Sequence, residues 1–464
     1  MSPPFNEKEQ PVAPATRGLS WTLTAALAFS LSACARYHAA PIDPAAHVAA
    51  TASRQLPARP SWSASDLLAE AINSSAALRA KADAYRSAVA AANSARIPLP
   101  AAFQLTAEYS HQDNPNKPWL GSGVFDFPVD LGGRRNARVR EADLAVAQAR
   151  LDYLDALWTA RSAIRHAMIS RLAADEALPL AIRARDLRTD RLRRLDRRVA
   201  AGEDPRSIVL AARIESAAAE RRLEEIEANS REATLSLANQ LGIDPRQIEH
   251  LPLERPAAFR PDEMDIPRLR EAAALGRSDV LRAIVDYDRA ETDMRLEIAS
   301  QYPAIRIQPG YTYERGIVKL PLGVNLQLPP IDGNKAAIRA AEKRRQEAGT
   351  KLEAAQDAVL AGVDRTHAAL DAALGAEMLR AKQDVPMAHS LARAASAALE
   401  RGETDRVDEE AAVAAALETD LDRIDASRVA AFAVIDLEDA LRHTGDPEEA
   451  KLFARALGQL GDIE

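Results

Sequence analysis

Aromatic residues are scarce, at only 4% of the 464 positions, while alanine is abundant. Such a mixture suits long helices packed through small residues, not a core filled by large side chains. There is a single cysteine, Cys34, so no disulfide can form within the chain and no cysteine cluster can hold a metal. Positive charge is not in excess: 60 Lys and Arg against 68 Asp and Glu leave a net charge of −8, which argues against nucleic acid as a partner. The eight histidines are scattered, and no pair has metal-ligand spacing on a shared helix turn. No phosphate-binding glycine loop and no nucleophile elbow occurs. Paired acids are plentiful, but polar helices carry them without catalysis. Neither an enzyme, nor a cofactor, nor a metal site is expected.

What is present begins at the N-terminus. Lys8 and Arg17 precede an apolar run of about 15 residues, Leu19 to Ala33. A membrane-spanning helix needs about 20, so residues 1–33 read as a secretory signal. The run ends in Leu31-Ser32-Ala33-Cys34, which resembles a bacterial lipobox. That resemblance implies lipid modification, palmitate included, at Cys34, and sorting to the outer membrane. Residues 34–62, with Pro41, Pro44, Pro57 and Pro60, read as an extended, lipid-anchored tether.

The remainder contains itself twice. Gly123-Val124 recurs as Gly323-Val324, Gly133 as Gly333, Gly202-Glu203 as Gly402-Glu403, and Arg206 as Arg406, each pair 200 positions apart. Upstream, Leu78-Arg79-Ala80 matches Leu281-Arg282-Ala283 at an offset of 203. Ordered matches at a fixed offset mark an internal repeat. The first repeat covers 63–250: a helix over about 64–95, a hairpin over about 101–131, a long helix over about 134–200 and a return helix over about 206–243. A proline-rich linker, 251–267, precedes the second repeat at 268–445. There the hairpin is predicted at about 304–330, the long helix at about 334–400 and the return helix at about 406–443. Residues 446–464 read as a tail.

The predicted strands alternate with a period of two. Phe103, Leu105, Ala107 and Tyr109 alternate with Gln104, Thr106 and Glu108; Phe125, Phe127, Val129 and Leu131 form one face of the next strand. In the second repeat Ile305, Ile307, Pro309, Tyr311 and Tyr313 are followed by Val318, Leu320, Leu322, Val324, Leu326 and Leu328, again at alternate positions. This is the pattern of a transmembrane β-barrel. Four strands cannot close a barrel, and a bilayer tolerates no open sheet edge. Other copies of the chain must complete it, though nothing in the pattern sets their number.

From Arg134 to Ala200, and from Asn334 to Glu400, only Pro179 and Pro386 interrupt helical sequence. Each span has 67 residues, hence about 100 Å at about 1.5 Å per residue. The prolines are expected to kink their helices. Gly202 and Gly402 read as helix stops that turn the chain back. Fold class is thus mainly α with a small membrane β part, in two structural repeats.

The duplicated halves, the strand ends leading into Leu131-Gly132-Gly133-Arg134-Arg135 and Ile331-Asp332-Gly333-Asn334-Lys335, and the tips at Ala201-Gly202 and Arg401-Gly402 together resemble the TolC family of outer-membrane efflux proteins. With the lipobox, the chain looks like the family's lipoprotein branch. The resemblance covers residues 60–445. It implies a homotrimer with a 12-stranded β-barrel continued by an α-helical barrel in the periplasm. It also implies a periplasmic adaptor and an inner-membrane pump as partners, and passive conduction of what the pump delivers.

In some members of the family, acidic residues just after the second tip glycine constrict the entrance. Asp408, Glu409 and Glu410 stand there, and only Ile208 holds the equivalent place in the first repeat. They are candidate gate residues; a solvated acidic helix start, favoured by the helix dipole, is the alternative. Gly202, Gly402, Arg198 and Arg406 are candidate adaptor-docking positions at the tips. The arginine-rich run from Arg183 to Arg198 reads either as a salt-bridged helix face or as part of that docking surface. The competing class is a lipid-anchored periplasmic coiled-coil scaffold or adaptor, which leaves the two hairpins unexplained.

Overall fold

A computed structural model describes residues 37–110, 118–129, 132–255 and 265–461. Cys34, His111, Asp130 and Leu131 lie outside the described residues. The chain divides into residues 1–53 and residues 54–464. In the first unit, a helix α1 spans Pro44–Ser53 where an extended tether was predicted. Its start is chemically ordinary: Asp43 accepts from the Ala45 amide at 2.9 Å and the Ala46 amide at 3.3 Å, and proline is pre-shaped for a first helical turn.

In the second unit, the predicted helix 64–95 is two helices, α2 (Ala64–Ser74) and α3 (Ala76–Ala95). The break is Ser75, extended at φ −65° and ψ 121°. Ser63 and Asp66 cap α2 reciprocally. Strands β1 (Ala102–Tyr109) and β2 (Trp119–Val129) follow, then α4 (Arg134–Ala200) and α5 (Arg206–Leu241). The second half repeats this order. It has α6 (Ile266–Gly276) and α7 (Ser278–Ala299), broken at Arg277, then β3 (Ala304–Glu314), β4 (Ile317–Lys319), β5 (Leu322–Gln327) and α8 (Lys335–Leu379). Next come α9 (Val385–Glu400), α10 (Arg406–Leu441) and α11 (Pro447–Gly461).

The long helices form a wall in which α4 packs on α5 and α10, and α10 on α8 and α9. Small side chains set the spacing. Ala174, Ala177, Ala181 and Ala184 are buried along one stripe of α4, at separations that return to the same helix face. Leu223 and Ile226 of α5, and Leu421 and Ile424 of α10, close over that stripe. The two prolines behave differently. Pro179 lies within an unbroken α-helical run. Pro386 is preceded by a π-helical turn, Arg380–Asp384, closed by the Val385 amide on the Arg380 carbonyl. The wider turn makes room where the proline ring meets the preceding turn's carbonyls.

The largest core lies where α2, α4, α5 and α11 meet. Leu67, Leu157, Ile164, Met168, Leu237 and Leu241 are fully buried there. Residues 446–464, expected as a tail, supply α11 to this core: Phe453 stacks on Trp158 with ring centroids 4.8 Å apart. Trp62, at the end of the predicted tether, is also buried, and its amide donates to the Pro252 carbonyl at 2.8 Å.

Candidate functional site

The sheet is an antiparallel meander. β1 pairs with β2, β2 with β3, and β3 with both β4 and β5. The predicted last strand is split because Pro321 has no amide to donate, yet its carbonyl accepts from the Gly310 amide at 2.8 Å. The register of β3 with β4, Thr312 against Lys319, continues unchanged into β5, Pro309 against Leu322. A two-residue turn, Arg315-Gly316, joins β3 to β4 with φ of 49° and 98°, as tight hairpins require.

This register decides which side chains share a face, since directly paired residues of antiparallel strands point the same way. Phe103 pairs with Phe125, Leu105 with Gly123 and Tyr109 with Trp119. Gly123 pairs with Tyr311, Phe127 with Ile307 and Val129 with Ile305. Ile305 pairs with Leu326, Ile307 with Val324 and Tyr313 with Val318. One face is therefore apolar on every strand. It is not covered: Leu105 is 74% exposed, Leu322 71% and Val324 59%. The opposite face carries Gln104, Thr106, Ser122, Gln308, Thr312 and Asn325, and a bidentate Arg306–Asp126 pair at 2.9 Å. Ala102, Leu120, Val124, Pro128 and Ile317 are its apolar exceptions within these strands.

Strand β2 begins at Trp119, six residues before the first alternating position recognised in the sequence. Gly121 and Gly123 hid it, since a glycine shows no polarity. Gly123 leaves room for an aromatic ring: a Cβ there would stand 3.1 Å from Phe103. The edges of the sheet, the outer side of β1 and the outer side of β4 and β5, pair with no strand among the described residues.

At the other end of α4 and α9 are the tips. Gly202 and Gly402 have φ of 78° and 73°. The Glu203 amide reaches back to the Arg198 carbonyl at 2.9 Å, and the Glu403 amide to the Ala398 carbonyl at 2.9 Å. Both are helix-ending motifs that place glycine in the left-handed region. The two tips are tied together. Arg198, in the last turn of α4, forms an ion pair with Asp204 at 2.7 Å and also bonds Asp405. Asp405 in turn caps α10 by accepting from the Asp408 amide at 3.0 Å. Burial pushes the Asp405 carboxyl up, but its bonds from the Asp408 amide and Arg198 win and hold it below the usual range.

The candidate gate acids differ in surroundings. Asp408 is exposed and accepts from the Thr404 hydroxyl at 3.0 Å. Glu409 accepts from the Ser396 hydroxyl at 3.2 Å and lies 3.6 Å from Arg406. Glu410 is only 2% exposed and meets Arg194 at 3.0 Å and Arg406 at 3.4 Å. The arginine run turns largely inward to neighbouring helices. Arg188 forks onto Glu418 with both bonds at 2.9 Å and reaches Glu215 at 2.8 Å; Arg191 also holds Glu215, at 2.5 Å. Arg188, Arg194 and Arg198 thus form a ladder from α4 to the α9–α10 hairpin.

Among the described residues, no helix is long and apolar enough to cross a membrane, and no cluster of His, Cys, Asp and Glu could hold a metal ion.

Comparison with known proteins adds to this geometry. Residues 67–243 match the family model described as Outer membrane efflux protein. The cobalt-zinc-cadmium resistance protein CzcC of Cupriavidus metallidurans is 27% identical over 236 residues, 48% of this chain. The chain spans about half that relative's length, 54%. Among solved structures, the outer membrane protein VceC of Vibrio cholerae superposes with a TM-score of 0.65 at 19% identity, over 82% of this chain and 97% of that one. The MtrE outer membrane channel of Neisseria gonorrhoeae gives 0.63 at 17% identity, over 82% and 89%. A mostly helical chain with this small sheet has the fold of these outer-membrane channels. Residues 67–243 of the chain are thus similar to the outer membrane efflux protein family.

Proposed function

We propose that three copies of this chain close one 12-stranded β-barrel in the outer membrane and continue it as a helical tunnel through the periplasm. The sheet carries this reading: one exposed face is apolar on every strand, the other is mostly polar, and both edges are open. Each large apolar side chain taken out of water is worth about 1.5–3 kcal/mol. Lipid is the solvent that rewards that face, and it penalises the open edges by several kcal/mol per unpaired backbone group. Pairing β1 of one copy with the last strand of the next satisfies both demands.

The channel itself performs no reaction. It conducts passively what an inner-membrane pump delivers through a periplasmic adaptor docked at the tips near Gly202 and Gly402. Arg198 and Arg406 flank those tips. The exposed Asp408 is the first gate candidate, repeated around the three-fold axis, while Glu409 and Glu410 beside it are held by Arg406. Cys34 carries the lipid after removal of residues 1–33. The same three-fold closure takes the two repeats, 63–250 and 268–445, as the barrel's structural units.

Planar-bilayer recording of the purified full chain tests this. Discrete conductance steps support a channel. A protein that leaves the membrane once its acyl chain is absent, and never conducts, is instead a lipid-held scaffold.

A further inference from the structure

The helices that leave the sheet begin with the wrong charge for a helix start. The first seven residues of α4 include Arg134, Arg135, Arg138 and Arg140. α8 opens with Lys335 and Arg339, and neither helix has an acid in its first turn. Cations at a helix N-terminus oppose the helix dipole, so an outside anion is needed to make them favourable. Asp332 supplies part of this at α8, accepting from the Asn334 amide at 3.0 Å and the Ala336 amide at 3.2 Å.

Elsewhere in this chain arginines meet carboxylates. Arg140 pairs with Asp288 at 2.5 Å, Arg289 with Glu141 at 2.8 Å and Arg345 with Glu291 at 2.9 Å. Four cations at the helix starts do not, among the described residues. Arg134 donates to the Tyr302 carbonyl at 3.1 Å and Arg135 to the Arg96 carbonyl at 2.8 Å. Arg339 donates to the Lys335 carbonyl at 3.3 Å. Lys335 is exposed.

The two starts lie at one level, because the same short connection touches both. Gln301 donates to the Gly333 carbonyl at 2.9 Å, and the next residue, Tyr302, receives Arg134. This level adjoins the inner end of the apolar face. Leu99, Tyr302, Leu328 and Ile331, just outside the strands, are all exposed. An apolar band bordered by aromatic and cationic side chains is how a protein meets the headgroup layer.

We infer that Arg134, Arg135, Lys335 and Arg339 form a basic rim that binds the phosphates of anionic phospholipids in the leaflet on the long-helix side. The inference rests on the sheet's spanning the membrane. Each cation near an anionic surface adds to the attraction, and guanidinium forks match phosphate oxygens.

The test uses the full chain, extracted in mild detergent and exchanged with equal amounts of phosphatidylglycerol and phosphatidylethanolamine. Native mass spectrometry reads which lipid stays bound, and conductance is recorded on the same preparation. The rim predicts a preference of about fivefold or more for phosphatidylglycerol. It predicts loss of that preference in the R134Q/R135Q/K335Q/R339Q variant, and its survival in R134K/R135K/R339K, with assembly mass and conductance unchanged in both. A conducting wild type without the preference overturns the rim alone, as does a conducting glutamine variant that keeps it. A wild type that neither inserts nor conducts overturns the membrane reading, and the rim with it.

Discussion

Arg161 of α4 and Glu449 of α11 meet with both side chains wholly removed from solvent, Nε to Oε2 at 2.6 Å. Glu438 of α10 also binds Arg161, and Arg165 adds bonds to Glu438 at 3.0 Å and to Glu449 at 2.7 Å. One buried cation and two buried anions, with the partly buried Arg165 beside them, fasten the last helix to the longest. Removing one member strands a charge, which costs about 3–5 kcal/mol. Glu449→Ala is expected to lower unfolding stability by about that amount in denaturant titration. Replacing Arg161 as well should restore part of the loss.

The same cluster sets an acid limit. Burial pushes Glu449 up, but Arg165 and Arg161 more than offset it and hold the carboxyl below its ordinary range. A depressed folded value means the stabilisation is complete above the unfolded value, about 4.3. It is lost as pH falls through the lower folded value. Unfolding followed between about pH 6 and pH 3 should show wild type losing stability in the acid half of that window. Glu449→Gln should be flatter there.

The face assignment is tested by neighbours. Leu105 lies on the apolar face and Thr106 on the polar one. A charge facing lipid near mid-membrane costs about 2–4 kcal/mol, and one facing a lumen far less. Leu105→Arg should reduce membrane insertion and stability by that order; Thr106→Arg should insert normally. Equal effects would mean that the two faces meet the same solvent.

Much of this was legible because the signals are local. Alternation from Phe103 to Tyr109 marks a strand, and Gly202 and Gly402 end helices through their own backbone conformations. Other features depend on partners distant in the chain. Arg161 meets Glu449 from 288 positions away, so nothing near either residue announces the pair. The break at Ser75 lacks the glycine or proline that flags a helix end, whereas that at Arg277 follows Gly276; packing against α5 and α10 holds both. Ser74 Oγ donates to the Leu241 carbonyl at 2.7 Å, and Arg277 to the Ala440 carbonyl at 2.7 Å. The acids after Gly402 look alike in sequence, yet Glu410 is buried against Arg194 while Asp408 faces out.

The Arg198–Asp405 tie is the rung of the ladder between hairpins that lies at the tips. Asp405→Asn should weaken it and raise the open probability in planar-bilayer recordings, without changing the conductance of a fully open channel. Asp408→Ala should instead weaken block by divalent cations, because a ring of carboxylates binds them. Unchanged block would remove Asp408 from the gate.

The central claim is that the open edges of a four-stranded sheet are closed by two further copies. The most direct measurement is the native mass of the protein extracted intact from the outer membrane. The account predicts a single species of three chains that dissociates only with loss of β-structure. A stable single chain that retains its β-structure in the bilayer would contradict it.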